Sequence, residues 1–578
     1  MTTPLKVATV QFEPTMFEKE RNIGRLLDMA VEAAQAGARL IVTPEMGTTG
    51  YCWFDRAEVA PYVETIPGPT TERFGQVAKA HDCYIVIGMP EVDAATGLYY
   101  NAAVLIGPDG VIGTHRKTHP YISEPKWSAP GDLGHQVFDT PVGRIALLVC
   151  MDIHFIETAR LAALGGADVI CHISNWLAER TPAPYWISRA VENGCYLIES
   201  NRWGLERTVQ FSGGSCVIEP DGSIAAVIDS GDGIAYAQID LERARARRVF
   251  DEPVFEQRRP ELYMELPTTT FAWNPLDFFG LYGHRPLPPG RRSRVAVAQF
   301  APSGDIEANL ARIEQLTIEA RTDGADLVVF PERAITGFES LGAQSVPGPA
   351  TDRLVALAAR HGLYIVAGLA EQDGAALYNS AVLVGPEGLI GTHRKLHLDA
   401  RDGNWASAGD AWSVFDTRLG RIGLLVGHDA VFPESGRVLA LRGCDLIACP
   451  AAIGGRFTAP HAGTKVAQNY PIPTGADPHH WHHFRARAGE NNVFLAFANV
   501  LDPLRGYEGK SGVFGPDTFE FPRREAIVAA GEGVASAEID TTNLDSRYPT
   551  NVVRRKDLMV MRLPHHYQDL ILGAPGRT

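Results

Sequence analysis

The sequence predicts an α/β protein in which one module is written twice. Three observations carry this: a long internal repeat, short β-branched runs that are apolar throughout, and amphipathic stretches between them. VATVQFEP at 7–14 returns as VAVAQFAP at 295–302, and LIVTPEMGTTGY at 40–51 as LVVFPERAITGF at 327–338. LYYNAAVLIGPDGVIGTHRKTH at 98–119 returns as LYNSAVLVGPEGLIGTHRKLH at 377–397, and GRIALLVC at 143–150 as GRIGLLVG at 420–427. A period this long is far beyond a solenoid repeat and reads as duplication of a whole domain. KVATVQF, LIVTPE, YIVIGM, NAAVLIG, IALLVC, ADVICHI and CYLIES read as strands. Several are apolar at every position, as expected of strands covered on both faces. NIGRLLDMAVEAAQAGA and TTERFGQVAKAHD carry helical periodicity. Sheets sandwiched by helices follow.

RRPELY at 258–263 has its counterpart in RRKDLM at 554–559, so this segment closes each copy. The boundaries expected are a first domain at 1–273, a linker at 274–293 and a second domain at 294–578. The linker is rich in Pro, Gly and aromatics, and Phe278, Phe279, Leu281 and Tyr282 predict that it packs on a domain.

Composition bounds the function. Of 578 residues, 45% are hydrophobic and 21% charged, which is globular. The balance of 53 Lys+Arg against 68 Asp+Glu gives a net charge of −15, which argues against nucleic acid or an anionic membrane as partner. No run approaches the roughly 18 apolar residues of a membrane span, and the start lacks the apolar core of a signal peptide. The 8 Cys show no C-x-x-C spacing, which fits reduced cytoplasmic thiols better than disulfides or zinc.

Three chemistry-bearing residues stand at the ends of apolar strands, where α/β sheets tend to place function. They are Glu45 after LIVTP, Lys117 in GTHRKTHP and Cys150 after IALLV. Singly, each reads as a solvated charge or a core thiol. Together they make a reactive set: a carboxylate can take the thiol proton, and a cation can stabilise an oxyanion.

The blocks P-E-M-G-T-T-G-Y, H-R-K-T-H-P and C-M-D-I-H-F-I-E resemble the three catalytic blocks of the nitrilase superfamily, the carbon–nitrogen hydrolases. ESNRWG at 199–204 and FSGGSCVIEPDG at 211–222 resemble its closing blocks. The resemblance covers nearly the whole chain, once per repeat. It implies two tandem four-layer αββα sandwich domains. It also implies a Glu-Lys-Cys triad of Glu45, Lys117 and Cys150, with Cys150 as nucleophile and Glu45 as general base. Lys117 and the backbone N–H of Met151 would bind the oxyanion. A second family glutamate falls on Glu124 in SEPKWSAPGD, positioning substrate and water. The implied reaction passes through a thioester and needs no metal or organic cofactor.

The second copy keeps Glu332 and Lys395, but Cys150 falls on Gly427 and Glu124 on Asp402. A glycine cannot attack a carbonyl, so this copy is expected to be catalytically silent. It would serve as a fused partner in an intramolecular pseudo-dimer, and a homo-oligomer stays open. An insertion before Glu490 carries His479, His480, His482 and His483. Without a spaced set of further ligands it reads as a polar loop or interface element, not a metal site.

Within the family, nitrile-cleaving members usually carry Cys-Trp-Glu, and amide and N-carbamoyl hydrolases Cys-x-Asp. Cys150-Met151-Asp152 favours a small carboxamide. His154 stands where N-carbamoyl amino acid hydrolases hold a carboxylate, and either does so or caps the next helix. Tyr51, Trp53, Trp127, Met151, His154 and Trp176 are the expected substrate-binding residues. An N-carbamoyl amidohydrolase and a nitrilase are the alternatives within this chemistry. An acyltransferase and a non-enzymatic binding module lie further off, and a synthetase-linked glutaminase is disfavoured.

Overall fold

The computed structural model describes residues 4–177, 179–269, 286–338, 342–461, 463–467, 480–516, 525–528, 530–542 and 551–572. Two compact units emerge. Each holds two six-stranded sheets and the helices that cover them.

In the first unit, one sheet runs Gly233–Ile239, Leu5–Gln11, Leu40–Val42, Tyr84–Val92, Tyr99–Gly107, Gly110–Arg116 from edge to edge. Its three inner strands from Leu5 to Val92 are parallel, in register Val7↔Leu40 and Leu40↔Tyr84, and the remaining pairings are antiparallel. The other sheet runs Ile224–Val227, Cys216–Ile218, Tyr196–Asn201, Val169–Ser174, Gly143–Val149, Val137–Thr140. The two sheets pack face to face, Leu5–Gln11 against Tyr196–Asn201 and Tyr99–Gly107 against Gly143–Val149.

Helices Lys19–Gln35 and Pro69–His81 cover the first sheet, and Ile156–Leu164 and Pro184–Asn193 the second. The sequence dictates the first of these. Ile23, Leu26, Met29, Ala30 and Ala33 recur on one face and are buried against Ala8, Val10, Ile41 and Ile85. The helix stops where Gly37 takes a φ of +91°. Pro69 opens the next helix at the position where its missing N–H costs nothing. This is the expected αββα sandwich.

The second unit repeats the plan. Its sheets run Gly388–Arg394, Ala376–Gly385, Tyr364–Asp373, Leu327–Val329, Arg292–Gln299, Gly533–Asp540, and Val414–Thr417, Gly420–Leu424, Leu446–Ala451, Phe494–Asn499, Gly512–Phe514, Ala526–Ile527. Ile306–Thr322 and Pro349–His361 lie on the first of these, and Pro433–Leu441 and His483–Asn491 cover the second.

The compact units divide the chain at 249/250, not at the expected 273. Residues 250–269 belong with the second unit, because their polar groups are satisfied there. Arg258 pairs with buried Glu434 at 2.9 Å, and the Tyr263 hydroxyl meets His397 Nε2 at 2.7 Å. Within the second repeat's insertion, residues 459–461, 463–467, 480 and 481 belong with the first unit. There the Thr464 N–H donates to the Thr181 carbonyl at 3.0 Å and the Trp481 indole to Ser188 Oγ at 3.0 Å. Residues 274–285 of the expected linker, with its four aromatic and aliphatic anchors, lie outside the described residues, as does His479. No helix among the described residues is long and apolar enough to cross a membrane.

Candidate active site

Three strand ends and one short turn of the first unit bring Glu45, Lys117, Glu124 and Cys150 into one buried cluster. Glu45 follows Leu40–Val42, Lys117 follows Gly110–Arg116, and Cys150 follows Gly143–Val149. Glu124 opens a short 3-10 turn, Glu124–Lys126. The Lys117 ammonium donates to Glu45 Oε1 at 2.9 Å and to Glu124 Oε1 at 2.6 Å. Asn101 Nδ2 also donates to Glu45 Oε1, at 2.7 Å. Glu45, Lys117 and Glu124 are wholly buried, and Cys150 is buried beside them. Three such ionisable groups tolerate burial only because each carboxylate meets the same cation.

Their proton affinities follow. Burial pushes the Glu124 carboxyl up to about 7, with Lys117 opposing and Glu45 reinforcing. Burial also pushes the Cys150 thiol well up, helped by Glu45 and opposed by Lys117. The thiol therefore rests protonated, and the lysine alone does not make a thiolate. Burial works against the charge on Lys117, but Cys150, Glu124 and Glu45 together hold it well above its ordinary value.

Cys150 has a φ of +47°, a left-handed conformation that bulky residues avoid. Such strain persists only where the surroundings fix it. Asp152 does the fixing. Its Oδ1 accepts from the N–H groups of Thr118 (3.1 Å) and His119 (3.0 Å), and its Oδ2 from Val149 N–H (3.1 Å) and His115 Nε2 (2.8 Å). The nucleophile turn is thereby tied to the residues after Lys117. The Cys150 carbonyl accepts from His172 Nε2 at 3.0 Å, and Glu199 holds the other side of that ring. The backbone N–H of Asn175 donates to the Cys150 sulfur.

The expected walls are only partly brought to this cluster. Tyr51 lies against it: Glu124, Glu45 and Cys150 all act on its hydroxyl, and the Lys117 ammonium is 5.7 Å from its ring centre. Glu206 sets Tyr51, its Oε1 accepting from the N–H groups of Tyr51 (2.8 Å) and Cys52 (2.6 Å). Trp53 and Trp127 join Tyr51, Met46 and Phe211 in one apolar cluster. The Trp53 ring packs on Phe17 and Tyr62. Met151 follows the thiol and is buried. His154 stacks on Trp176 at 4.8 Å and leans on Tyr185. Burial, with Arg189 next, pushes the His154 imidazole down to about 3, so it offers no positive charge to a carboxylate. Nor does it cap the following helix, whose N-cap is Phe155.

Asp152, Asn101, His172 and Asn175 were not among the residues expected from sequence. The first two carried a signal, because Asp152 and Asn101 return in the second copy as Asp429 and Asn379.

The second unit keeps the same frame around a different centre. Gly427 stands at the corresponding turn with a φ of +45°, and Asp429 repeats the tie, accepting from Val426, Leu396 and His397 N–H groups. Gly427 offers no thiol at the nucleophile position, and the nearby Cys449 sulfur, which accepts from the Gly427 backbone N–H, is pushed well up by burial. Glu332 fills the space: a Cβ on Gly427 would lie 2.0 Å from its Oε2. That oxygen accepts from the Ala452 N–H at 3.0 Å. Ala452 is the counterpart of Asn175, since Leu147 pairs with Cys171 as Leu424 pairs with Ala448. Lys395 is ringed by Glu332 (3.1 Å), Asp399 (3.1 Å) and Asp402. These three carboxylates lie within 4.8 Å of one another, and the ammonium bonds to all of them. In the insertion, His482 caps the helix His483–Asn491 through Phe484 N–H, so it is engaged in packing.

The sequence profile of the carbon-nitrogen hydrolases, described as "Carbon-nitrogen hydrolase", matches residues 6–249 and again 294–543. A protein named nitrilase from Pyrococcus abyssi is 37% identical over 262 residues, 45% of this chain and 99% of the relative. The human omega-amidase NIT2 is 31% identical over 278 residues, 45% of this chain and 97% of that protein. Among solved structures, a carbon-nitrogen hydrolase from Helicobacter pylori G27 is 26% identical. That match covers 46% of this chain and 98% of the other, with a TM-score of 0.42.

Proposed function

The chain belongs to the carbon-nitrogen hydrolase family and carries its domain twice, and on that premise we propose that the first repeat is a cysteine-dependent amidase acting on a small carboxamide. The observation that supports this best is the buried contact of one lysine with two carboxylates beside a thiol on a strained turn. Glu45 takes the thiol proton as sulfur attacks the carbonyl carbon. The carbonyl π electrons move to oxygen, and that oxyanion lies against the Lys117 ammonium and the Met151 N–H. Collapse expels the nitrogen, which takes the proton from Glu45 and leaves as ammonia. Water then attacks the thioester, giving its proton to Glu45 and held in place by Glu124. The carbon–sulfur bond breaks, sulfur regains the proton, and the carboxylic acid departs.

A protonated resting thiol requires the base, so thiol activation and attack belong to one step. The second repeat, with Gly427 at the thiol position and Glu332 in its space, is proposed as a silent partner that supports the first. Cys150-Met151-Asp152 favours an amide over a nitrile, and the relatives named omega-amidase agree with that choice. An N-carbamoyl substrate is the second reading, weakened by the neutral imidazole of His154.

The test is ammonia release from acetamide, propionamide and benzamide, their matched nitriles, and N-carbamoyl-β-alanine. The expected result is turnover of a carboxamide without carbon dioxide. Carbon dioxide with the ammonia would move the assignment to a ureide hydrolase, and turnover confined to nitriles would refute the amidase.

A further inference from the structure

We propose that the side-chain amide of Asn175 is a substrate-binding group, which pairs with the –CO–NH2 edge of a primary carboxamide next to Cys150. The inference rests on the amidase reading and adds the residue that selects the functional group. Three observations carry it.

Asn175 is 2% exposed, yet neither Oδ1 nor Nδ2 has a hydrogen-bond partner among the described residues. No other described asparagine is buried with both atoms unsatisfied. Leaving such groups bare is costly, and native structures do it where a ligand or a function supplies the partner. The polar side chains flanking it are satisfied. Ser174 Oγ meets Asn201 Oδ1 at 3.0 Å, and the Trp176 indole donates to Glu179 at 2.6 Å.

The residue also sits at the reacting atom. Its own backbone N–H donates to the Cys150 sulfur. Its side-chain amide is therefore within one residue's reach of the carbon that the sulfur attacks.

The duplication supplies an internal control. Positions that hold the frame recur in both copies: Asn101 and Asn379, Asp152 and Asp429, Asn201 and Asn499. Asn201 and Asn499 make the same bond, to the N–H of Trp176 and of Ile453, each at 2.8 Å. The Asn175 position becomes Ala452, in the copy that also lacks the thiol. Its backbone N–H still works there, donating to Glu332. The backbone at this place belongs to the fold, and the side chain went with the chemistry.

The ligand class follows from valence. An asparagine amide offers one acceptor and a donor in one plane. A primary carboxamide, or the terminal half of a ureide, offers the complementary pair. A nitrile offers an acceptor and no donor, and an ester only acceptors.

The experiment compares wild type, Asn175→Ala and Asn175→Asp on acetamide, propionamide and benzamide, their matched nitriles, and p-nitrophenyl acetate. Alanine already stands at this place in the second copy, so thermal melting should be nearly unchanged. The expected result is a fall in kcat/KM for the carboxamide of about tenfold to a hundredfold in both variants, with the ester changed less than about twofold. Equal losses on amide and ester would make Asn175 a structural residue and overturn the inference. Unchanged amide turnover in the variants would overturn it while leaving the amidase standing. A wild type that cleaves nitriles and no amide would refute both.

Discussion

Glu124 and Lys117 show how one burial produces opposite demands on two side chains. The ammonium keeps its charge because carboxylates surround it, whereas the Glu124 carboxyl is held up to about 7 from an ordinary 4.5. Unfolded, this glutamate gives up its proton near 4.5. Folded, it keeps the proton to about 7, so between these values the native state binds more protons. Its contribution to stability is present below 4.5 and is lost as pH rises to about 7. Glu124→Gln removes that titration. In melting curves taken from pH 4.5 to 7.5, the variant should gain in Tm relative to wild type as pH rises. Its kcat/KM should fall by about a hundredfold if water positioning is lost. A constant difference in Tm across this range would mean that Glu124 is ionised throughout.

At the scale of elements, the turn at 150–154 depends on a residue that does no chemistry. Asp152 gathers backbone N–H groups from Val149, Thr118 and His119 and a bond from His115, which hold Cys150 in its left-handed conformation. Asp152→Asn replaces a charged acceptor by one with a single carbonyl oxygen. The expected cost is about 2–4 kcal/mol, read by chemical denaturation, with kcat/KM down at least tenfold. Wild-type stability and turnover would show that the strand and the Ile156–Leu164 helix fix the turn unaided.

This element also marks what the sequence could tell. Glu45, Lys117 and Cys150 are legible because each ends an apolar strand, and strand ends in α/β sheets converge. The tie through Asp152 spans about 35 residues in the chain, so no local pattern reveals its partners. His154 reads as a basic residue in sequence. Burial and the charge of Arg189, which no local pattern in the sequence shows, are what make it neutral.

Across the whole molecule the duplication was the strongest signal, and both copies fold as the repeat predicts. The division between them was less legible. Arg258 and Tyr263 close the first copy in sequence, yet their hydrogen-bond partners, Glu434 and His397, stand in the second repeat. Sequence also gives Gly427 as the lost nucleophile, but not that Glu332 has moved into the space. That difference matters for any attempt at repair. A new thiol at 427 would meet the Glu332 carboxylate at its Cβ, and the amide N–H that serves the Cys150 sulfur in the first copy is here taken by the carboxylate. One chain should therefore carry one working thiol. The direct test is ammonia release from the preferred carboxamide by wild type, Cys150→Ala and Cys150→Ala/Gly427→Cys at equal concentrations of folded protein. The account predicts turnover in wild type alone, with at least a thousandfold loss in both variants. Ammonia from Cys150→Ala at the wild-type rate, or its recovery on adding the cysteine at 427, would contradict it.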